Sequence, residues 1–190
     1  MSTSTSRRMQ ETEYIKSRIK DAGFHCLCCG ACCSGRDNEV MVSPPEIHRL
    51  TEATGLTQGD IAEPYPEWIE ESGAALTFGW VLRRGADGNC MFLRDNRCTV
   101  YSHRPHICRT YPFMLNDQEL IISECPGRRT CSETKDAEEI AKDLLCRRAA
   151  EDEEFFLTRQ QYQKHSIISG STIVFDSSGA HIYTIPPKKS

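Results

Sequence analysis

The chain has 190 residues, of which 38% are hydrophobic and 26% charged, and its formal net charge at pH 7 is −4. This balance predicts one globular domain with a real core, and the acidic charge argues against a general nucleic-acid binder, which usually presents a basic face. No run of about 18 apolar residues is present and the first residues form no apolar signal segment, so we expect no transmembrane helix, no membrane partner and a cytoplasmic location.

The first forty residues are predicted to form a helix followed by a cysteine-rich loop. Residues 1–7 are expected to be a disordered polar tail, and residues 8–22 an amphipathic helix that ends at Gly23. The loop follows over residues 25–36, and a short strand is predicted over residues 40–42.

A second helix is predicted from a strong start signal. Ser43 can cap it, Pro44 suits its first position, and Glu46 completes a capping box. This helix should end near Gly55, and a further short helix is predicted from Thr57, broken at the prolines that follow.

The middle of the chain is predicted to form strands. Residues 76–83 place Phe78, Trp80 and Leu82 on one alternating face. Ser102 is expected to cap a short helical turn over residues 103–109. Further strand segments, separated by turn signals, are predicted over residues 89–93, 97–101, 111–115 and 120–123.

The C-terminal part is predicted to be a charged helix and a hairpin. Residues 134–165 carry the helical apolar stripe, and strands over residues 172–176 and 181–185 are followed by a tail at residues 186–189. We therefore expect an α+β fold, in which a small antiparallel sheet and short helices surround a metal centre. Its predicted parts are a tail and helix (1–23), a cysteine-cluster domain (24–131) and a C-terminal helix with a terminal hairpin (132–190).

Eleven cysteines dominate the composition, and four of them, Cys26, Cys29, Cys32 and Cys33, follow a C-x2-C-x2-C-C spacing. Thiolates at this spacing on a glycine-containing loop can converge on one point, which is typical of metal binding. An odd count in a chain expected to be cytoplasmic argues against a disulfide framework.

The remaining cysteines complete a recognisable pattern. Cys90, Cys98, Cys108 and Cys125 follow in the sequence, with Cys108 inside a Y-x2-RP-x2-CR-x-YPF segment that spans residues 101–113. Over residues 24–127 the chain resembles the CxxCxxCC family of zinc- or iron-chelating proteins, also known as YkgJ-type cysteine cluster proteins. The resemblance implies that these eight cysteines are the metal ligands, and that Cys28, Cys131 and Cys146 lie outside the set.

The identity of the metal stays open between two alternatives. Zinc sites usually pair two separate C-x2-C knuckles, whereas here the C-x2-C steps overlap within one loop. This arrangement is closer to a ferredoxin loop, which favours an iron–sulfur cluster. A first centre would then take Cys125, which precedes a proline, as its remote fourth ligand. Adjacent side chains point in opposite directions in an extended chain, so one of Cys32 and Cys33 would face the first centre. The other would face a second centre built with Cys90, Cys98 and Cys108. A single larger cluster that binds the same eight cysteines is the alternative to two centres.

Two arginines are candidate cofactor-binding residues. Arg104 and Arg109 flank Cys108, where a guanidinium group could stabilise an anionic thiolate cluster, bind an anionic substrate or form a structural ion pair. His25, His103 and His106 are near enough in sequence to be additional ligands, although the cysteines alone can complete two sites.

Three functions follow from these observations. The favoured one is an iron–sulfur protein that transfers electrons or supports a redox or metallocofactor assembly with a partner protein. The resemblance, whose family includes flagellin lysine N-methylases, implies a protein methyltransferase as an alternative, for which S-adenosylmethionine binding is the test. The third is a zinc-stabilised interaction module. No radical S-adenosylmethionine spacing, G-x-G-x-x-G or P-loop is present, so catalysis has no support from a motif.

Overall fold

The computed structural model describes residues 2–35, 38–116 and 119–183. Its α-helices in these ranges are α1 Ser2–Asp21, α2 Pro44–Thr54, α3 Gln58–Ile61, α4 His106–Thr110 and α5 Ala137–Lys164. Its strands in the same ranges are β1 Met41–Val42, β2 Ala62–Pro64, β3 Ile69–Glu71, β4 Ala74–Phe78, β5 Trp80–Leu82, β6 Leu93–Arg94, β7 Arg97–Cys98, β8 Phe113–Asn116, β9 Glu119–Ile122, β10 Thr172–Asp176 and β11 Gly179–Ile182. The predicted α+β class is confirmed.

Helix α1 is longer than the sequence suggested. It begins at Ser2, so the disordered tail expected over residues 1–7 is wrong from Ser2 onward, and Met1 lies outside the described residues. No glycine or proline interrupts residues 2–21, and the buried side chains of Ile15 and Ile19 fix the helix against α5. None of the helices in the part of the chain that the structure describes is long and apolar enough to span a membrane.

Helix α2 has the predicted ends. The Ser43 backbone N–H and hydroxyl both donate to the Glu46 carboxylate, at 2.9 and 3.0 Å. At the other end Gly55 adopts a left-handed φ of 71°, and its N–H donates to the Thr51 carbonyl at 2.8 Å. Both ends are therefore satisfied by the residues that the sequence indicated.

The single strand predicted over residues 76–83 is wrong, because two strands occupy this segment. Gly79 adopts a φ of 87°, which breaks the alternation, so that β4 and β5 enter different sheets. Since Trp80, Val81 and Leu82 are all buried, β5 is covered on both faces and not on one alternating face.

Two sheets and two hairpins carry the β structure. β1, β5 and β2 form an antiparallel sheet, and the second sheet has the order β11-β10-β4-β3, in which β10 pairs parallel with β4. The hairpins β6–β7 and β8–β9 confirm the predicted turns, although 117–118 in the second turn lie outside the described residues. The predicted tail at residues 186–189 lies outside them too. Strand β3 was not predicted.

The helical turn near Ser102 differs from the expected one. Ser102 lies inside a short 3-10 turn, Tyr101–His103, and α4 begins separately after Pro105. Ser102 is therefore not the cap of a helix over residues 103–109. The interruption follows from the proline, which disfavours helical backbone at the preceding residue, Arg104.

The core has three parts. The largest packs β5, α2 and α3 against Cys90, Phe92 and Val100, and includes Val174 from β10. A second part joins α1, α5 and Phe113, and a third lies between β4, β10 and Tyr162. The first part forms the base from which Cys90, Cys98 and Cys108 are presented.

Candidate metal centre

The cysteine loop is held by a glycine turn. Gly30 has a φ of 73° and precedes a 3-10 turn over Ala31–Cys33, in which the Cys33 N–H donates to the Gly30 carbonyl at 2.9 Å. A Cβ at Gly30 would lie 3.0 Å from the Asn96 carbonyl oxygen, so the loop sits closely against the β6–β7 turn. Cys28, with a φ of 50°, adds a second left-handed position to the loop.

A backbone hydrogen bond joins the end of the loop to the core. The Cys90 N–H donates to the Cys33 carbonyl at 2.8 Å, which places the two residues side by side. Cys98 lies on β7, opposite Leu93 of β6, and Cys108 lies on α4. Cys33 is therefore on the same side of the site as Cys90, Cys98 and Cys108.

A different contact joins the start of the loop to the turn that holds Cys125. The His25 N–H donates to the Gly127 carbonyl at 3.0 Å, which brings Cys26, one residue after His25, towards Cys125, two residues before Gly127. A Cβ at Gly127 would lie 2.3 Å from the His25 carbonyl oxygen. Only glycine allows the two backbones to approach this closely.

One cavity of about 310 Å³ brings the predicted ligands together. All eight cysteines of the pattern line it, namely Cys26, Cys29, Cys32, Cys33, Cys90, Cys98, Cys108 and Cys125. Cys28 lines it as well, whereas Cys131 and Cys146 do not. The four exposed members, Cys26, Cys28, Cys29 and Cys32, all belong to the loop, and Cys90 is buried. The cavity therefore has an inner protein wall and an outer thiol-rich loop.

The Cys33 side chain is hydrogen-bonded to those of both Cys32 and Cys90. Its Sγ lies 3.8 Å from that of Cys32. Hydrogen bonding to Cys33 lowers the pKa of Cys32 to about 6 and that of Cys90 to about 6, in each case against burial. The same hydrogen bonds raise the pKa of Cys33 itself. Two of the three sulfurs are thus readily available as thiolates, the form that binds metals.

The deeper sulfurs are held as thiols by burial. Burial raises the pKa of Cys108 to about 12, and repulsion from negative charge on Cys90, Cys32 and Cys98 adds to the effect. Burial also raises the pKa of Cys98 and of Cys125. A cation in the cavity would offset this mutual repulsion, because metal binding releases thiol protons.

Arg104 lies at the cavity wall. Its guanidinium group stacks 3.7 Å above the centre of the Tyr101 ring and donates to the Tyr101 and Cys108 carbonyls, at 3.0 and 3.3 Å. Arg104 is thus fixed by the segment that also holds Cys108, with its positive charge beside the thiols.

Arg109 and the histidines are placed elsewhere. The Arg109 guanidinium group pairs with both oxygens of Asp143, at 2.7 and 2.9 Å, so a structural ion pair describes its contacts. It is not part of the cavity lining, and neither are His25, His103 and His106.

The donor set fits a thiophilic metal, although the sulfurs are not gathered at one point. In residues 2–35, 38–116 and 119–183, no three Cys, His, Asp or Glu side chains are arranged closely enough to hold a metal ion. Nine thiols line one wall without an accompanying carboxylate or imidazole. Soft sulfur ligands of this kind select zinc or iron–sulfur clusters over magnesium or calcium.

Sequence reasoning missed several residues of this wall. Phe24, Arg97, Tyr101 and Tyr111 line the cavity beside the cysteines, and the Tyr111 hydroxyl donates to the Glu124 carbonyl, next to Cys125. The Y-x2-RP and CR-x-YPF text contained the signal for the two tyrosines, because each lies within seven residues of Cys108.

Comparison with known proteins gives a family. A family model described as CxxCxxCC, a putative zinc- or iron-chelating domain, matches residues 25–162. The match includes all nine cysteines that line the cavity and continues through most of α5, well beyond residue 127, where the resemblance noted in the sequence ended. No solved structure matches the chain.

Proposed function

The chain belongs to the CxxCxxCC family of zinc- or iron-chelating domains, and from this premise we propose that it is an iron–sulfur protein with a role in electron transfer or in a redox or metallocofactor assembly. The observation that carries the proposal is the convergence of eight pattern cysteines on one cavity. When bound, an iron–sulfur cluster would supply one-electron chemistry there.

We propose that the ligands divide into two centres. The Cys90–Cys33 hydrogen bond supports an inner group of Cys33, Cys90, Cys98 and Cys108. The His25–Gly127 hydrogen bond supports a second group, in which Cys125 joins Cys26, Cys29 and Cys32 of the loop. Each group has the four thiolates that a cluster or a zinc ion needs.

Arg104 fits a supporting role in this proposal. A fixed guanidinium group beside thiolate ligands stabilises the negative charge of a cluster. Its contacts with Tyr101 and with the Cys108 carbonyl keep it in place without using its charge on a carboxylate.

A reducing cytoplasmic setting and a redox partner are part of the proposal. All eleven cysteines are free thiols in the structure. The exposed loop thiols would place the outer centre near the surface, where a partner protein can exchange electrons with it.

The decisive experiment measures iron, zinc and acid-labile sulfide per chain in anaerobically purified protein, together with its visible spectrum. Iron and sulfide in matching amounts, with an absorption that dithionite bleaches, are expected. Zinc in a colourless solution would replace the proposal with a zinc-stabilised module. The 3.8 Å separation of the Cys32 and Cys33 sulfurs favours that alternative, because two thiolates on one tetrahedral zinc ion lie about 3.8 Å apart.

Variants test the ligand set and its division. Cys29→Ser and Cys108→Ser should each lose metal, whereas Cys146→Ser, outside the cavity, should keep it. In a two-centre protein Cys125→Ser and Cys98→Ser should each lose about half of the metal. Complete loss in both variants would show one shared cluster, and full retention in Cys29→Ser and Cys108→Ser would discard the ligand set.

A further inference from the structure

A second and larger cavity lies on the other side of α4 from the cysteines. Its volume is about 530 Å³, which is in the range of small-molecule sites. His106 and Ile107 form part of its wall, and Cys108 of the same short helix faces the cysteine cavity. The two cavities thus share α4 as a partition.

Helix α5 forms the wall of this larger cavity that lies opposite α4. Leu144 and Thr158 are buried, but no residue of α5 between them is. The cavity-lining residues of this stretch, including Ala150 and Phe155, recur at helical spacing on one face. The middle of α5 is therefore held at both ends and leaves a gap beneath it.

The walls are mostly apolar. Met41, Val42, Phe78, Ile107 and Phe155 contribute large hydrophobic side chains from four separate elements. Phe155 is 70% exposed, although it lies beside this gap. An apolar chain in the cavity would remove these surfaces from water.

The charged side chains of the cavity lining differ in whether they have a hydrogen-bond or ion-pair partner. Glu46 accepts hydrogen bonds from Ser43 and His106. Arg147 pairs with Glu151 at 2.6 Å. Glu154 accepts a hydrogen bond from the Ser177 N–H at 2.9 Å. Arg159 is the exception, since its guanidinium group has no hydrogen bond or ion pair with any residue in the described part of the chain.

We infer that this cavity binds an elongated apolar molecule with an anionic head, such as a free fatty acid, with its chain along the apolar walls and its carboxylate paired with Arg159. The carboxylate matches the one charged side chain among the described lining residues that has neither a hydrogen bond nor an ion pair, and a planar guanidinium group can bind it through two parallel hydrogen bonds. The site is separate from the metal centre and does not depend on which metal is bound there.

Calorimetry on the full chain tests the inference with dodecanoate as the probe. Dodecanoate is expected to bind, and dodecyltrimethylammonium, which has the same chain and the opposite charge, to bind at least roughly tenfold more weakly, as for the loss of a charge-assisted pair. Absence of dodecanoate binding at millimolar concentration, or equal binding of the two probes, would overturn the proposal.

Variants locate the binding. Arg159→Gln should weaken dodecanoate binding roughly tenfold, and Ala150→Trp, which places a large side chain in the gap from an exposed helix position, should abolish it with an unchanged circular dichroism spectrum. Arg18→Gln removes the same charge from an exposed position of α1, away from this cavity, and should bind like wild type. Unchanged binding in Arg159→Gln or in Ala150→Trp would refute the assignment.

The source of the anionic chain is distinguished by sedimentation with phosphatidylglycerol vesicles. Because the inference assigns a free acid, wild-type protein that binds dodecanoate should remain in the supernatant. Co-sedimentation that is lost in both Arg159→Gln and Ala150→Trp would instead assign the same chemistry to a membrane lipid and overturn the choice of a free acid.

Discussion

Replacing Gly127 with alanine should damage the metal centre without touching a ligand. The added Cβ would lie 2.3 Å from the His25 carbonyl oxygen, a backbone atom that cannot rotate away. To reach even 3.0 Å, the Cys125 turn and the start of the loop must separate by 0.7 Å. Metal–ligand distances tolerate only about 0.2 Å, so Cys125 and Cys26 could no longer meet the same centre in their present positions.

The expected magnitude follows from the cost of overpacking. Inserting a methyl group into a tight contact costs about 1–3 kcal/mol. If this cost is incurred in the metal-bound form, the affinity of the outer centre should fall by roughly 5- to 150-fold. The assay is the rate and extent of metal extraction by a chelator, followed by the visible spectrum and by metal analysis.

A matched control separates this effect from a general loss of stability. At Gly59, in α3, an added Cβ has the Thr57 hydroxyl oxygen at 4.0 Å as its nearest neighbour. Gly59→Ala should therefore keep wild-type metal retention and gain about 0.5–1 kcal/mol of stability. Wild-type metal content and chelator resistance in Gly127→Ala would refute the pairing of Cys125 with the loop.

Three further predictions concern residues outside the ligand set. Arg104→Gln removes the stacking on Tyr101 and should speed metal extraction by a chelator, whereas Arg109→Gln should leave the extraction rate unchanged. Because Arg109→Gln loses only an exposed ion pair, it should lower the free energy of unfolding by less than about 1 kcal/mol. Equal extraction rates for the two variants would contradict this prediction. Asp176→Asn should lower the free energy of unfolding by roughly 2–3 kcal/mol at pH 7 in urea titrations. Burial acts to raise the pKa of Asp176, but hydrogen bonds from Ser178, Trp80 and His181 outweigh it and lower that pKa. The stabilisation is therefore present above the ordinary aspartate pKa of about 3.9 and is lost as the pH falls through the lower folded value. A difference that stayed constant as the pH fell through this range would contradict the prediction. Leu144 of α5 is buried in the core cluster that α5 shares with α1. Leu144→Ala should lower the free energy of unfolding by about 3 kcal/mol and keep a single thermal transition. Two transitions would show that the C-terminal helix unfolds as a separate unit.

The elements that could be predicted from sequence are those whose signals are local. The capping box at Ser43, the glycine at position 55 and the turn at Asp95-Asn96 each specify backbone geometry within a few residues. Both ends of α2 and the β6–β7 hairpin follow from these residues alone. The family resemblance likewise rested on local text around the cysteines.

The features that could not be predicted depend on distant contacts. Gly79 is a local signal for a break within residues 76–83, but which sheet each half enters depends on distant strands. The division is also supported by the Gly79 N–H, which donates to the Phe175 carbonyl nearly a hundred residues later. The contact of His25 with Gly127 and the gap beneath α5 are equally non-local. The sequence therefore indicated eight of the nine cysteines that line the cavity, while the place of Cys28 in its wall required the fold.

The parallel pairing of β10 with β4 has a consequence for when the site can form. β10 places Val174 in the same hydrophobic cluster as Cys90 and Phe92, the base of the inner cysteines. Because a ribosome releases the chain from its N-terminus, every pattern cysteine emerges before the strand that completes this core. The thiols are thus exposed during synthesis before this core is complete, and we expect stable metal binding at the proposed inner centre to follow the release of residue 176.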